Sequence, residues 1–381
     1  MSTLSNEEVN RYSRHLILPE VGVEGQEKLK ASSVLCIGAG GLGAPLTLYL
    51  AAAGVGRIGI VDFDIVEDSN LQRQVIHGTS TIGMSKLDSA KKRLLDLNPY
   101  IEIECINERL DASNAIELFK KYDVVADGTD NFPTRYLVND ACVLTDTPNV
   151  YGSIFRFEGQ ISVFNYKGGP CYRCLYSEPP PPGLVPSCAE GGVLGVLPGV
   201  VGTLQATEVI KVLLNLGKVA SERLLMFDAL NLKFRELKLR KDPNCVLCSE
   251  NATQEGLIDY EEFCGIPQQK AAEEEVIDEV SVHKLKQMID QNDEFTLLDV
   301  REPHEHDICH LEQAKLIPLA QVEMAFDTFD KDQKIVIHCK SGVRSANAVR
   351  QFKEAGFTNV HNVAGGIIAW AREIDTEMQQ Y

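Results

Sequence analysis

A glycine-rich loop near the N-terminus has the spacing of a phosphate-binding turn. The four glycines of this G-x-G-x-x-G pattern lie between a predicted strand and a predicted helix: Gly38, Gly40, Gly41 and Gly43. Glycines let the backbone turn tightly and approach a phosphate, whose charge is stabilised at the helix N-terminus. Asp62 lies 19 residues after Gly43, where a carboxylate can accept hydrogen bonds from ribose hydroxyls. Alone, these residues favour an enzyme that binds NAD or FAD.

Residues after later predicted strands shift this interpretation towards a nucleoside triphosphate. Five of them form an unbroken run after the second strand: Ser69, Asn70, Leu71, Gln72 and Arg73. Lys86 begins the next predicted helix, and Asp130 and Asn131 follow a later strand. A triphosphate carries more charge than a dinucleotide and normally binds with Mg²⁺, so it requires cations and a carboxylate metal ligand. Because the carboxyl ends of parallel strands form the ligand crevice of such sheets, we expect these residues to share one site.

Four of the eleven cysteines form two C-x-x-C pairs, Cys171 with Cys174 and Cys245 with Cys248. Four thiolates at tetrahedral corners suit Zn²⁺, and paired C-x-x-C elements are the usual geometry of structural zinc sites. Seventy residues separate the two pairs, so the fold must bring them together. A redox pair, or two unrelated pairs, is the alternative.

Another cysteine, Cys339, follows a very apolar predicted strand and begins a loop that Arg344 closes. The N–H groups of such a loop, the N-terminus of the next helix and the arginine would together form an anion cradle, which favours the reactive thiolate. Four residues separate Cys339 from Arg344, whereas cysteine phosphatases place five between the two. The shorter loop favours sulfur chemistry over phosphate chemistry. The alternative is a buried cysteine beside a surface arginine.

The elements that must position these residues alternate along the first 245 residues or so. Predicted strands cover residues 34–37, 57–61, 101–105 and 123–126, and predicted helices cover residues 44–53, 85–97, 112–120 and 134–144. This alternation predicts a mainly parallel, Rossmann-like sheet covered on both faces. Strand-like runs at residues 159–166 and 224–239 predict an antiparallel extension. The Pro- and Gly-rich run at residues 179–202 predicts a long loop.

Length and charge predict two domains joined by an acidic linker. A chain of 381 residues suits two domains, which we place at residues 1–248 and 276–381, with the linker at 249–275. Strands at residues 296–300 and 334–339 and a helix from Val343 predict an α/β fold for the second domain. Ten acidic residues and one lysine between Glu250 and Glu279 give a net charge of −9, which predicts an extended tether.

The composition of the chain argues against two classes of function, nucleic-acid binding and membrane association. The net charge of −18 argues against direct binding of nucleic acid or of an anionic membrane surface. Residues 31–56 are uncharged and long enough for a membrane span, but six glycines and Pro45 favour a strand, a turn and a buried helix. No signal peptide is visible at the N-terminus, so we expect a cytoplasmic protein with reduced cysteines.

The motifs at residues 11–19, 38–43, 70–74 and 127–131 together resemble the MoeB/ThiF family, bacterial relatives of ubiquitin-activating enzymes. The resemblance covers roughly residues 1–248. It implies ATP-dependent adenylation of the C-terminal glycine of a ubiquitin-like sulfur carrier, similar to MoaD or ThiS. It assigns ATP binding to Gly41, Asp62, residues 69–73, Lys86, Asp130 and Asn131.

The same resemblance implies further roles. Asp130 would hold Mg²⁺, and Arg14 would reach the nucleotide from the neighbouring subunit of a homodimer. Cys188 would form a covalent acyl intermediate with the carrier. The resemblance also supports a structural Zn²⁺ on the four paired cysteines. The attacking carboxylate is already nucleophilic, so alignment and cations matter more than a general base. The expected catalytic cations are therefore Arg14, Arg73 and Lys86.

The motifs at residues 297–303, 339–344 and 365–370 resemble a rhodanese domain over about residues 276–381. This implies that Cys339 carries sulfur as a persulfide. One departure is the run from Cys309 to Ala314, where the family usually has Gly-His-Ile-Pro-Gly-Ala; this leaves the donor specificity open. The predicted fold class is therefore α/β, with a Rossmann-like mainly parallel sheet, an antiparallel extension and a smaller α/β rhodanese domain.

Together the two domains predict one reaction sequence: adenylation of the carrier, then sulfur transfer from Cys339 to give a thiocarboxylate. A cysteine desulfurase or thiosulfate would supply the sulfur. The carrier's pathway, whether molybdenum cofactor, thiamine, cysteine or tRNA thiolation, stays open. The alternatives are a nicotinamide-dependent oxidoreductase with an appended sulfurtransferase, an activator that conjugates a ubiquitin-like protein through a Cys188 thioester, and a non-catalytic binding module.

Overall fold

The computed structural model describes residues 3–181, 191–265 and 278–381. The chain divides into two compact units, Met1–Gln268 and Gln269–Tyr381.

The first unit is built on an eight-stranded sheet with the order β3-β2-β1-β4-β5-β6-β7-β8. Its strands are β1 Ser33–Ile37, β2 Arg57–Val61, β3 Glu102–Ile106, β4 Val124–Asp127, β5 Asn149–Phe155, β6 Glu158–Phe164, β7 Arg223–Asp228 and β8 Lys233–Lys238. Strands β1 to β5 pair in parallel, and β5 to β8 pair antiparallel. The mainly parallel sheet and its antiparallel extension are both as predicted.

Helices cover both faces of this sheet. They are α1 Asn6–Arg11, α2 Ser13–Leu16, α3 Gly22–Ala31, α4 Gly43–Ala53, α5 Lys86–Leu97, α6 Ala115–Phe119, α7 Phe132–Leu144, α8 Leu197–Leu214 and α9 Tyr260–Phe263. Two separate clusters of buried apolar side chains result, one containing the residues of α4, α5 and α8 and the other those of α6 and α7. Because apolar residues point to both faces of β1, β2 and β4, these strands are almost completely buried.

The uncharged stretch at residues 31–56 forms strand β1, a turn and helix α4, as predicted. A different helix, α8, is long and apolar enough to cross a membrane by length and composition. It packs against α4, β5 and β6 of the first unit, and Leu197, Val201 and Val209 are fully buried there. This packing is that of a core helix.

Helix α8 corrects the prediction of a loop through residue 202. The helix begins at Leu197, with Pro198 in its first turn, where the missing N–H of proline costs no hydrogen bond. A Cβ at Gly202 would lie 2.5 Å from the carbonyl oxygen of Leu42. Proline and glycine here therefore start a helix and let it approach the glycine loop closely.

The start of the predicted linker is also corrected. Residues 249–265 pack on the first unit, because Tyr260 and Cys264 are buried in its core. The Tyr260 hydroxyl donates to Asp140 Oδ2 at 2.9 Å, and the Phe263 ring packs edge-on against Tyr136. The folded part of the first unit therefore continues well beyond residue 248.

The second unit contains a five-stranded parallel sheet with the order β11-β10-β12-β13-β9. Its strands are β9 Glu279–Val280, β10 Thr296–Asp299, β11 Lys315–Leu316, β12 Ile335–His338 and β13 Val360–Val363. Its helices are α10 Val282–Asp290, α11 Pro303–His306, α12 Val322–Ala325, α13 Val343–Glu354 and α14 Gly366–Glu373. The central strand β12 is buried along its length and leads directly to Cys339.

Candidate active site and metal centre

The carboxyl ends of β1, β2 and β4 open onto a cavity of about 430 Å³. Eight of the residues predicted to bind the nucleotide line it: Gly38, Gly40, Gly41, Asp62, Arg73, Lys86, Asp130 and Asn131. The sheet thus brings together residues from separate parts of the sequence, as expected for an open α/β sheet.

The glycine loop has no room for a side chain at Gly43. A Cβ added there would lie 1.9 Å from the Gly38 carbonyl oxygen. Gly43 does not line the cavity; it is buried at the first position of α4. Its role is to let the helix begin directly behind the loop, so that the loop glycines can face the cavity.

Hydrogen bonds fix the acidic side of the cavity. Asp62 accepts from the backbone N–H of Ala39 at 2.8 Å and from that of Asp64 at 2.9 Å. The Lys86 ammonium donates to Asp64 Oδ2 at 2.7 Å, and the Lys86 side chain is nearly buried. The ion pair with Asp64 thus holds the Lys86 ammonium in the cavity wall even when no phosphate is bound.

Asp130 is exposed at the cavity and is placed there by the turn after β4. In that turn Asp127 accepts from the N–H and hydroxyl of Thr129 at 2.9 and 2.6 Å. Burial raises the pKa of Asp127, against the opposing effect of the Arg135 cation. The side chain of Asn131 accepts from the N–H of Thr134 and caps α7. Asp127 is therefore a structural residue of the turn, and Asp130 is left open to a ligand.

Five other predicted site residues do not line the cavity. They are Arg14, Ser69, Asn70, Leu71 and Gln72. Ser69 accepts through its carbonyl oxygen from Arg73 Nη1 at 3.1 Å, so its segment orients a residue that does line the cavity. Arg14 is exposed on α2.

The structure adds cavity residues that sequence patterns missed. Arg109 follows β3, and Glu261 lies in α9; both line the cavity, and they form an ion pair. A charged pair separated by about 150 residues has no local signal. Arg109 follows a predicted strand, and that position was the one signal that could have identified it.

The two C-x-x-C pairs come together in the first unit. The four sulfur atoms lie within 4.8 Å of one another. Cys171 and Cys174 are 3.9 Å apart, Cys171 and Cys245 are 3.6 Å apart, and Cys174 and Cys248 are 3.3 Å apart. Four sulfurs at about 2.3 Å from a tetrahedral zinc would be separated by similar distances, so the donor set fits Zn²⁺.

A buried ion pair connects this cysteine cluster to α7. Arg173, between the first two cysteines, donates to both carboxylate oxygens of Asp140 at 2.9 and 2.8 Å. Asp140 is fully buried and also accepts from Gln254 Nε2 and the Tyr260 hydroxyl. One carboxylate therefore joins α7, the cysteine cluster and α9.

In the second unit, Cys339 lies at the base of the predicted loop and is almost fully buried. Its sulfur accepts from the N–H of Gly342 at 3.2 Å and from the Ser345 hydroxyl at 3.3 Å. The loop thus directs two hydrogen-bond donors at the sulfur, and its role as an anion cradle stays a prediction.

Arg344 is paired with a residue that the sequence analysis did not identify. It donates to both carboxylate oxygens of Glu305 at 2.6 and 2.7 Å. Burial opposes the charge of Glu305, but hydrogen bonds from Arg344 and from the Glu302 backbone outweigh it and lower its pKa to about 2. Glu305 lies in α11, soon after the predicted motif at residues 297–303, and that proximity was the available signal. Cys188 lies outside the described residues.

These features define a class: an α/β nucleotide-binding unit with a four-cysteine centre, followed by a cysteine-loop sulfurtransferase fold. The chain belongs to the ThiF family, whose model matches residues 12–247. The Rhodanese-like domain model matches residues 281–373. Family membership favours the triphosphate interpretation of the glycine loop over the dinucleotide one.

Curated relatives match the full chain. The probable adenylyltransferase/sulfurtransferase MoeZ of Mycobacterium tuberculosis is 50% identical, over 100% of this chain and 97% of that protein. Adenylyltransferase and sulfurtransferase MOCS3 is 44% identical in Culex quinquefasciatus, over 100% of this chain and 91% of that protein. The Sus scrofa MOCS3 is 45% identical, over 100% and 89%.

Solved structures share the fold. Escherichia coli MccB with MccA-N7isoASN has a TM-score of 0.57 and 22% identity, over 65% of this chain and 76% of that one. The MccB complex with ATP has a TM-score of 0.56 and 22% identity, over 64% and 75%. At this identity the likeness concerns the fold alone.

Proposed function

We propose that this enzyme adenylates the C-terminal glycine of a ubiquitin-like sulfur carrier ending in Gly-Gly and then transfers sulfur to it. The observation that carries the proposal is the cavity that brings Gly41, Arg73, Lys86 and Asp130 together, in a chain that also holds the Cys339 loop. Full-length relatives are named for both activities. The chain is thus an adenylyltransferase and a sulfurtransferase.

In the adenylation step, a carboxylate oxygen of the carrier attacks the α-phosphorus of ATP and forms a P–O bond. The bond to the departing pyrophosphate breaks, and the pyrophosphate leaves with the electron pair. Arg73 and Lys86 would offset the charge that develops on it. Asp62 would accept from the ribose hydroxyls, and the loop glycines would let the backbone approach the phosphates.

Asp130 is our candidate ligand for Mg²⁺, which would supply positive charge to offset that of the phosphates. Its exposed carboxylate at the cavity fits an ion that commonly takes one or two protein carboxylates together with phosphates. We also propose a homodimer in which Arg14 serves the cavity of the partner subunit. The exposure of Arg14 and its position away from its own cavity support that role.

In the sulfur step, the terminal sulfur of a Cys339 persulfide would attack the acyl carbon, and AMP would leave. The product is an acyl disulfide, which a thiol cleaves to release the carrier thiocarboxylate and leave a disulfide. A second thiol molecule would reduce this disulfide and release the Cys339 thiolate. A thiosulfate ion or a cysteine desulfurase would then restore the persulfide. Cys188 stays a predicted acyl acceptor.

The four paired cysteines would hold a structural Zn²⁺, which would fix the segments around Cys171 and Cys245 to each other. The ten cysteines in the described ranges are all free, which suits the reducing cytoplasm that we propose as the location.

The adenylation half is tested by ATP–pyrophosphate exchange with a Gly-Gly-ended carrier. We expect Arg73→Gln and Lys86→Gln to lower the exchange rate roughly 100-fold, the cost of removing one preorganised charge donor. Lys92→Gln, an exposed lysine on the same helix as Lys86, is the matched control and should retain the rate. Quenching of NADH fluorescence without ATP turnover would instead indicate a nicotinamide-dependent oxidoreductase.

A further inference from the structure

Tyr381 lies against the Cys339 loop of the second unit. Its hydroxyl is 2.7 Å from Arg301 Nη1 and 3.1 Å from Glu305 Oε1. The Lys340 ammonium lies 4.6 Å from the centroid of its ring. Lys340 directly follows Cys339, so the tyrosine contacts both the loop and the acid that pairs with Arg344.

The direction of these hydrogen bonds follows from the groups involved. A guanidinium has only donors, so Arg301 donates to the Tyr381 oxygen and the hydroxyl proton is free for Glu305. Burial raises the pKa of Tyr381, and the hydroxyl keeps that proton. Arg301 is itself fixed by a fully buried ion pair with Asp299, at 2.6 Å. A rigid chain of contacts therefore runs from Arg301 through Tyr381 and Glu305 to Arg344.

We propose that Tyr381 is a positioning residue for sulfur transfer, whose hydroxyl holds Glu305 and thereby the guanidinium of Arg344, the residue that closes the Cys339 loop. The proposal rests on the sulfur step of the proposed function. Glu305 is almost fully buried and uses both oxygens on Arg344, so the orientation of its carboxylate sets that of the guanidinium.

Arg344 matters because small sulfur donors are anions. With thiosulfate, the Cys339 thiolate attacks the outer sulfur, an S–S bond forms, and sulfite leaves with the electron pair of the broken S–S bond. A fixed guanidinium offsets the charge of the incoming donor. Without the Tyr381 hydroxyl, the Glu305 carboxylate is less firmly oriented. Its negative charge is then no longer shared with Tyr381 and neutralises more of the positive charge of Arg344. Both effects weaken anion binding at the loop.

The direct test compares two alkylating reagents on the full chain, by the mass of the Cys339 peptide. Iodoacetate carries a negative charge and iodoacetamide does not, so the ratio of their rates reports the cation at the loop. We expect Tyr381→Phe, which keeps the ring over Lys340, to lower the iodoacetate-to-iodoacetamide ratio about tenfold, the value of one hydrogen bond to a charged group. Met378→Leu, a change of similar volume in the same packed segment, should leave the ratio unchanged.

The KM for thiosulfate gives a second measurement. We expect it to rise about tenfold in Tyr381→Phe with little change in kcat, and we expect no further rise when Tyr381→Phe is added to Glu305→Gln. An unchanged alkylation ratio, or an equal fall in rate with both reagents, would overturn the role of Tyr381. A wild-type protein that transfers no sulfur would count against the proposed function instead, since the alkylation ratio does not depend on turnover.

Discussion

The nucleotide cavity can form because Gly43 has no side chain. Its neighbour across the turn is a backbone carbonyl, that of Gly38, at 1.9 Å from where a Cβ would lie. A backbone oxygen cannot rotate away as a side chain could. A methyl group at this position must therefore move the loop or the start of α4.

Gly43→Ala is accordingly expected to lower carrier-dependent ATP–pyrophosphate exchange at least 100-fold, because the loop can no longer present its N–H groups to phosphates. Gly199→Ala is the control. Apart from the backbone of its own helix, none of the described residues lies within 4 Å of a Cβ there, and alanine favours the helix. Wild-type exchange in Gly43→Ala would contradict this account of the loop.

His338 provides a pH-dependent prediction in the second unit. It is buried directly before Cys339, its ring nitrogens make no hydrogen bond of good geometry within the described residues, and Asp299 Oδ2 is 3.9 Å away. Burial lowers its pKa from 6.5 to about 4. The folded state thus disfavours the charged ring. The stability that comes from keeping His338 neutral is therefore fully present above pH 6.5 and is lost as the pH falls towards 4.

Over that window we expect the free energy of unfolding of the second unit to fall by up to about 3 kcal/mol. Trp370, the single tryptophan of the chain, is buried in this unit and reports its unfolding by fluorescence. The pKa of His361 is also lowered by burial, so the informative comparison is with His338→Leu. That variant should show a shallower pH dependence; an identical slope would rule out His338 as the source.

Sequence patterns predicted single site residues but not the contacts between residues that are far apart in the sequence. The glycine loop, Arg73, Lys86 and the Cys339 loop have types and spacings that carry their chemistry, and the structure places them in the two candidate sites. Glu261 and Glu305, which pair with two arginines, lie in stretches of sequence that look like ordinary surface helices. Only the fold brings them to Arg109 and Arg344.

At the scale of elements, the cysteine cluster joins segments that are otherwise separate. The Asp140–Arg173 ion pair then connects the cluster to α7 and to α9. Metal binding at such a site contributes directly to folding. Loss of the zinc that we propose at this site should therefore loosen the whole region rather than one loop.

Cys171→Ser is expected to abolish bound zinc, measured by atomic emission, and to lower the Tm of the first unit by roughly 10 °C. Cys105→Ser is the control, because Cys105 is only partly buried and lies outside the cluster. We expect one zinc per chain in this control and in the wild type. Equal zinc content in Cys171→Ser would exclude the four-cysteine site.

The elements that sequence patterns predicted well are the strands and helices of the parallel half, such as β2 and α4, whose apolar runs follow Gly56 and Gly43. Strand β5 was not predicted, because Asn149, Gly152 and Ser153 interrupt its apolar residues. The first part of helix α8, residues 197–202, was assigned to a loop because it contains a proline and two glycines. Tertiary packing decides such cases, since a helix start and a loop can contain the same residues.

In the molecule as a whole, the acidic run between Glu250 and Glu279 is partly folded and partly outside the described residues. Five of its ten acidic residues lie in the described residues up to 265, where Asp259 caps α9 and Glu261 pairs with Arg109. Two more, Asp278 and Glu279, lie in the second unit, where Glu279 begins β9. The other three, at residues 273–275, lie outside the described residues, and the tether stays a prediction for that stretch. The rest of the net charge of −18 is spread along the chain and still argues against a nucleic-acid partner.

We propose above all that this one chain both activates a carrier and gives it sulfur. The most direct test is the mass of a Gly-Gly-ended carrier after incubation with the full-length enzyme, ATP, Mg²⁺, thiosulfate and a thiol. We predict a gain equal to the difference between sulfur and oxygen with the wild type and with Cys309→Ala. With Cys339→Ala we predict no such gain, while ATP–pyrophosphate exchange continues. A carrier that gains sulfur without Cys339, or exchange that is lost with it, would contradict the account.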